Sequence, residues 1–119
     1  MRYFICLLLF NITIAANASL ITLGTRSEVT QQILVEQPNN SKANLLLFAG
    51  GKGKIRLNNG GYKNNNNFLV RSRQLFIDTG LTTILIDAPS DKQDKLGMLK
   101  GFRNSQKHVK DIEAVIDYV

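Results

Sequence analysis

The sequence is short of the side chains that crosslink chains or bind metals. Its 119 residues include one cysteine, Cys6, one histidine, His108, and no tryptophan. A single cysteine cannot close an intramolecular disulfide, and one cysteine with one histidine gives no ligand cluster for zinc. The sequence therefore favours neither a disulfide-stapled scaffold nor a metal centre.

Acidic residues are also scarce, since 9 acidic residues stand against 15 basic ones and the formal net charge is +6. The basic residues are spread along the chain and form no dense cluster, so the charge suits an anionic cell envelope better than nucleic acid. A hydrophobic content of 44% is ordinary for a globular protein, and the length allows one small domain.

No apolar run is long enough to span a bilayer comfortably. The first eighteen residues instead follow the order of a secretory signal peptide: Arg2, then the apolar YFICLLLFNITIA, then the small-residue triplet ANA ending at Ala18. We interpret 1–18 as a cleaved signal peptide and 19–119 as the exported domain, periplasmic or secreted and without a stable membrane span. The alternatives are a buried N-terminal strand and a membrane anchor.

Four segments of the remaining chain have strand character: 20–25, 29–37, 45–49 and 81–88. The last two are apolar on both faces, as expected of central strands that are covered by helices. A helix between them would complete a β-α-β unit with parallel strands and a right-handed crossover. The polar segment 58–67 is expected to be a surface loop.

Two helices are predicted. The first has Asn67 as its N-cap and Gly80 just beyond its C-terminus. The second covers 105–119 and stops at Val119 without a glycine or a basic last turn, so we expect the sequence to continue in a longer parent protein. The expected apolar sides are Phe68, Leu69, Ser72, Leu75 and Phe76 in the first helix, and Val109, Ile112, Val115, Ile116 and Val119 in the second.

The stretch LLLFAGGKGK, residues 45–54, joins an apolar strand to a glycine-rich basic loop. Such a loop can cradle a phosphate, supply the backbone amides of an oxyanion hole, or only turn the chain. The P-loop pattern fails, because Ile55 stands where it requires Ser or Thr and Phe48 where it requires Gly. The dinucleotide pattern fails because Arg56 occupies its last glycine position. No nucleotide or other cofactor is therefore expected, and the oxyanion hole and the plain turn remain.

Three segments in order, LLLFAGGKGK, NNFLVRSRQLFIDTGLTTILIDAPSD and KGFRNSQKHVKDIEAVIDYV, resemble the N-terminal half of exported α/β-hydrolase superfamily proteins of bacteria. The resemblance covers about residues 20 to 119. It implies an α/β fold: the N-terminal part of an α/β-hydrolase sheet, with two strands and then β-α-β-α with parallel strands, truncated before the nucleophile elbow.

The resemblance also implies a site. Ala49-Gly50-Gly51 matches the family's His-Gly-x oxyanion segment, so Gly50 and Gly51 would supply the backbone of the oxyanion hole, although Ala49 departs from the usual histidine. No G-x-S-x-G elbow occurs, and the acid and histidine of a triad would follow it in the chain. The chain would thus be a fragment of an exported serine hydrolase for a small ester, thioester or amide. The alternative is a non-catalytic exported binding domain or a degenerate remnant.

Other polar residues have structural interpretations that compete with catalytic ones. His108 has Ser105 three residues before it, yet a local hydrogen bond at a helix start explains both, and in the resembled family this histidine is not the catalytic base. Asp87 ends a strand, where a carboxylate that fixes the following turn is favoured over a general base. No catalytic residue is therefore assigned within this chain.

The basic residues of the loop, Lys52, Lys54 and Arg56, alternate along the sequence. They would face one way if the segment were extended. Steering of an anionic substrate and plain solvation of a loop are the two interpretations.

The resembled family's strand order would also leave 45–49 at an open sheet edge. An apolar edge of this kind promotes aggregation, so we expect 19–119 alone to be poorly soluble.

Overall fold

The computed structural model describes residues 16–58, 61–62 and 66–119. Most of the predicted signal peptide lies outside these residues. The first strand, β1 (Asn17–Arg26), begins one residue before the predicted end of that peptide at Ala18. Cleavage after Ala18 would therefore leave a shorter strand that starts at Ser19.

The other elements follow in chain order: β2 (Val29–Gln37), β3 (Ala43–Phe48), β4 (Leu57–Asn58), β5 (Gly61–Tyr62), α1 (Phe68–Asp78), β6 (Leu81–Ile86) and α2 (Gln106–Tyr118). Two single turns of 3₁₀-helix, Ser90–Lys92 and Phe102–Asn104, lie between β6 and α2. The main sheet has the strand order β1-β2-β6-β3, and β4 pairs with β5 in a separate two-stranded sheet.

The expected fold class is wrong. The main sheet is mixed: β2 runs antiparallel to both β1 and β6, and only β3 and β6 are parallel. The β1–β2 link has two residues, Ser27 and Glu28, and a link this short can join only antiparallel strands. The polar segment expected to be a loop contributes β4 and β5. The described chain is thus a four-stranded mixed sheet with a small second sheet and two helices, and not a parallel β-α-β-α half of a hydrolase.

Successive residues of β3 serve opposite faces of the sheet. Leu45 and Leu47 belong to the apolar cluster that contains Val70 of α1, whereas Leu46 and Phe48 pack against the cluster that contains Val115 of α2. A strand with apolar residues on both faces is expected between two helical layers. The apolar character of β3 on both faces is therefore confirmed, and its carboxyl end lies between α1 and α2, but the expectation of a central strand is wrong because β3 lies at the edge of the described sheet.

Both predicted helix starts are confirmed. The side chain of Asn67 accepts a hydrogen bond from the N–H of Leu69, and the hydroxyl of Ser105 accepts one from the N–H of His108. Gly80 follows α1 with a φ of 88°, a conformation that glycine adopts without steric penalty.

The expected apolar sides of the helices are wrong in part. In α1 the buried residues are Val70 and Ile77, while Phe68 and Leu75 are 67% and 66% exposed. In α2, Val115 is the only fully buried residue of the predicted apolar side. Helical spacing shows which residues share a side, but the neighbouring sheet decides which side is buried.

Candidate functional site

The glycine loop, residues 49–53, leaves the carboxyl end of β3 as a tight turn. Ala49 is buried, Gly50 and Gly51 are exposed, and the N–H of Gly53 donates to the carbonyl of Gly50 at 3.2 Å. Gly51 has a φ of +60°, which an L-residue adopts only with strain. Among the described residues, the N–H groups of Gly50 and Gly51 have no acceptor. The two predicted donors are therefore open to solvent.

The second 3₁₀ turn and the segment before it hold this loop in place. Nη2 of Arg103 donates to the carbonyl oxygens of Ala49 at 2.6 Å and of Gly51 at 3.1 Å. The N–H of Met98 donates to the carbonyl of Lys52 at 2.9 Å. These bonds fix three of the loop's carbonyl groups from one side.

Close packing makes Gly97 necessary here, and the backbone conformation favours glycine at position 53. A Cβ atom on Gly97 would stand 2.4 Å from the carbonyl oxygen of Lys52, and one on Gly53 would stand 2.1 Å from Cε of Met98. Both glycines also have positive φ values, 57° and 71°. The segment around Gly97 therefore fits against the loop because Gly97 has no side chain, whereas the flexible end of Met98 can move away from a Cβ atom on Gly53.

Asp87 anchors the chain that follows the loop. Its buried carboxylate accepts hydrogen bonds from the N–H groups of Ile55 at 2.8 Å, Leu57 at 3.0 Å and Ala88 at 2.7 Å. The structural interpretation of Asp87 is thus confirmed. The carboxylate fixes the turn that follows it, and it also reaches back to the exit of the glycine loop.

His108 is buried beside the loop between two aromatic rings. Its ring centroid lies 6.2 Å from that of Phe48 and 5.4 Å from that of Phe102. Its Nδ1 atom has no hydrogen-bond partner among the described residues. Burial lowers the pKa of His108; nearby Asp111 opposes this shift, and the positive charge of Arg103 adds to it. This shift favours the neutral form of the ring.

Ser105 and His108 do not form a nucleophile–base pair. The Ser105 hydroxyl donates to the carbonyl of Phe102 at 2.6 Å and accepts from the backbone N–H of His108. A catalytic serine would instead share its proton with the imidazole ring. The structural interpretation of Ser105 as a helix-start residue is confirmed.

A charged network that the sequence analysis missed lies behind His108. Arg26 donates from Nε to Asp111 at 2.8 Å and from Nη2 to Asp91 at 2.9 Å, and the hydroxyl of Thr25 also bonds to Asp111. The hydrogen bond from Arg26 lowers the pKa of Asp91, while the two carboxylates raise that of Arg26. Arg26 and Asp111 stand 85 positions apart, and no spacing pattern links them.

The three basic residues predicted to steer a substrate do not lie in an extended row. Arg56 has a φ of +59°, and Gly53 is also left-handed, so the backbone turns twice between Lys52 and Arg56. Nζ of Lys54 donates to the carbonyl oxygens of Gln93 and Asp94. Lys52 and Arg56 are exposed. The three side chains therefore do not lie along one extended strand, and substrate steering stays a prediction for these residues.

Cavities of several hundred cubic ångströms lie away from the glycine loop. One of about 530 Å³ is bordered by the ion pair of Arg73 and Glu36, with the Arg73 guanidinium 4.6 Å above the ring of Tyr62. Another of about 470 Å³ lies between the β1–β2 turn and the start of α2, where Lys107 and Lys110 border it. Neither of these two cavities includes Gly50 or Gly51, which are exposed residues.

The described residues contain no group of three or more His, Cys, Asp or Glu side chains placed to hold a metal ion. Within the same residues, neither helix is long and apolar enough to cross a membrane.

Comparison with known proteins finds no matching family model, no matching curated protein and no matching solved structure. The likeness to exported hydrolases therefore rests on the sequence motifs alone.

Proposed function

We propose that this chain belongs to an exported hydrolase of esters, thioesters or amides and supplies the loop that stabilises the oxyanion. The observation that carries the proposal is the pair of backbone N–H groups on the exposed residues Gly50 and Gly51, just beyond the carboxyl end of β3, which have no acceptor among the described residues. Donors fixed before the reaction stabilise negative charge without having to reorganise when it develops. The proposal does not depend on the α/β-hydrolase fold class, which the mixed sheet contradicts.

Rigidity of the loop supports the proposal. Arg103 holds two carbonyl groups of the loop, and Asp87 holds the chain at the loop's exit. An oxyanion donor must be placed to within a fraction of an ångström, which a freely moving glycine turn would not achieve. Simple turns do not need this number of long-range restraints.

The nucleophile would come from another part of the complete gene product. Ser105 caps a helix, and the Nδ1 atom of His108 has no partner among the described residues. The test is a fluorophosphonate probe applied to the folded, complete gene product. We expect covalent labelling of a serine outside residues 16–119, and absence of labelling would overturn the hydrolase proposal.

A matched pair of variants links the labelling to this loop. Gly51→Ala forces a side chain onto a φ of +60° and should slow labelling at least about tenfold. Gly24→Ala, where a Cβ atom would meet nothing within 4 Å, should label at the normal rate. Equal labelling rates for the two variants would show that the hydrolase activity does not depend on the glycine loop.

A second candidate is a non-catalytic exported binding domain. The observation that favours it is the cavity of about 530 Å³ beside Tyr62 and Arg73, which lies away from the glycine loop. A folded gene product that resists the fluorophosphonate probe would favour this function.

A further inference from the structure

Arg103 contacts the glycine loop in a way that fixes the orientation of two peptide groups. The same nitrogen, Nη2, donates to the carbonyl of Ala49 and to that of Gly51. These carbonyls belong to alternate peptide groups, the one that ends at the Gly50 N–H and the one that ends at the Lys52 N–H. Both carbonyl oxygens must therefore point towards the guanidinium.

Because each peptide group is planar, the orientation of a carbonyl also fixes the direction of the N–H of the same group. No peptide bond among the described residues is cis. In a trans peptide the N–H points opposite to the C=O of the same group. The N–H groups of Gly50 and Lys52 are therefore both directed away from Arg103, on the same side of the loop.

The N–H of Gly51 belongs to a different peptide group. The carbonyl of that group, on Gly50, accepts the N–H of Gly53 and closes the turn. Its orientation is thus set by the turn and not by Arg103. Among the described residues the N–H of Lys52 has no acceptor, as is also true of Gly50. The two amides that share a direction are those of Gly50 and Lys52.

We propose that Arg103 is a positioning residue that turns the Gly50 and Lys52 N–H groups outward as the donor pair for an oxyanion. This inference rests on the proposed function and changes its second donor from Gly51 to Lys52. The ligand class is a carboxylate or a tetrahedral oxyanion whose separate oxygens each accept a hydrogen bond from one of the two amides. Arg103 does not touch the ligand; it acts through the two carbonyls.

The charge of Arg103 has a second effect on the same amides. A cationic donor makes a stronger hydrogen bond to a carbonyl than a neutral donor does, and a polarised peptide is a better donor at its N–H end. A neutral side chain of similar length would therefore weaken the donor pair even if the loop kept its shape.

The test is an amide NMR titration of the full chain with methylphosphonate at low ionic strength. We expect the amide protons of Gly50 and Lys52 to move in a saturable way, while that of Gly51 moves little. Arg103→Gln should raise the apparent Kd about tenfold. Arg71→Gln, which removes the same charge from an exposed site on α1, should leave the Kd unaltered.

Two further variants keep the result interpretable. Lys52→Gln keeps the backbone N–H, so its amide should still shift; loss of that shift would assign binding to the lysine side chain and overturn the inference. Arg103→Lys keeps the charge if Arg103→Gln does not fold, and it should bind more weakly than the unaltered chain. A Kd equal to that of the unaltered chain would overturn the positioning role.

The outcomes separate the two proposals. Shifts at Gly50 and Gly51 that survive Arg103→Gln would leave the proposed function standing and overturn the role of Arg103. No saturable shift at any amide of residues 49–53 would remove both the proposed oxyanion loop and its positioning residue.

Discussion

Asp87 shows how one carboxylate can organise a site without taking part in chemistry. Replacing it with asparagine keeps the shape but puts an NH₂ group among three backbone donors that need acceptors. Because buried donors left unsatisfied are costly, we expect Asp87→Asn to lower the free energy of unfolding by about 2–4 kcal/mol. Chemical denaturation measures this loss.

Asp78→Asn is the matched control, since Asp78 is exposed at the end of α1 and bonds only to Gln74 among the described residues. This change should alter stability by no more than about 0.5 kcal/mol. Similar losses in the two variants would contradict the anchoring role of Asp87.

The lowered pKa of His108 leads to a prediction about how stability depends on pH. Its folded pKa lies below its ordinary value of 6.5, chiefly because of burial, while Asp111 opposes the shift and the charges of Arg103 and Arg26 add to it. As the pH falls below 6.5 the unfolded state takes up the proton first, so stability drops until the folded pKa is reached. Above 6.5 this contribution is fully present.

His108→Phe should remove that part of the pH dependence. Phenylalanine suits the space between Phe48 and Phe102 and has no nitrogen left without a partner. Unfolding free energies of the two proteins at pH 7.5 and at 5.5 provide the comparison. An equal loss in both would show that other groups cause the acid sensitivity.

Single residues differ in how far sequence reasoning could place them. Asp87 follows an apolar strand directly, so a structural carboxylate could be predicted there. The partnership of Arg26 with Asp111 could not, because it joins two elements that meet only after the chain has folded. Arg103 was also missed as a candidate, since nothing in its local sequence shows that it reaches Ala49.

Helix α1 offers a prediction at the scale of an element. Leu75 is 66% exposed and Ile77, two residues later, is 4% exposed. Ile77→Ala should cost about 2–4 kcal/mol through lost packing and a residual cavity, whereas Leu75→Ala should stay within about 0.5 kcal/mol. Thermal or chemical unfolding of the two variants decides which side of α1 is buried. A larger loss for Leu75→Ala would restore the apolar side that the spacing predicted.

The link between β1 and α2 is an ion pair that is buried at one end. The side chain of Asp111 is 1% exposed, so Arg26→Met would leave its charge without compensation and should cost about 3–5 kcal/mol. The other carboxylate that Arg26 binds, Asp91, is 34% exposed. Asp91→Asn should therefore cost no more than about 1 kcal/mol.

Chemical denaturation of the two variants tests this difference. Comparable losses would mean that the burial of Asp111 does not matter, and α2 would then be held by apolar packing alone.

At the scale of the whole molecule, β3 is the exposed feature of most consequence. It pairs only with β6 among the described strands, and its sequence ANLLLF contains no charge and no proline to block further pairing. A net charge of +6 opposes association of identical chains over long distances. We therefore expect self-association to increase as salt rises from about 0.01 M to about 0.15 M, where the Debye length falls from about 30 Å to about 8 Å.

Sedimentation velocity at several protein concentrations measures this association. Ala43→Lys adds a charge to the β3 edge and should reduce it, while Gln74→Lys adds the same charge to an exposed site on α1 and should reduce it less. A chain that stays monomeric at both salt concentrations would contradict the role of the edge.

Local reasoning predicted the elements better than their assembly. The strand at β3, the two helix caps and the parallel pairing of β3 with β6 through α1 were all predicted from short stretches of sequence. The antiparallel neighbours of β2 and the small β4–β5 sheet make the fold class different from the expected one. Strand order depends on contacts between distant segments, and a single sequence contains no periodic signal for them.

The sequence by itself determined the approximate positions of the four main strands and the two helices, the apolar character of β3 on both faces, and the glycines that let the loop turn. It did so because spacing, capping residues and positive φ are properties of neighbouring residues. Only the tertiary structure decided that Arg103 faces the carbonyls of Ala49 and Gly51 and that Asp87 holds the chain beyond them. Those bonds join segments 32 to 54 positions apart, and they orient the loop's amides because a planar peptide cannot turn its N–H independently of its carbonyl.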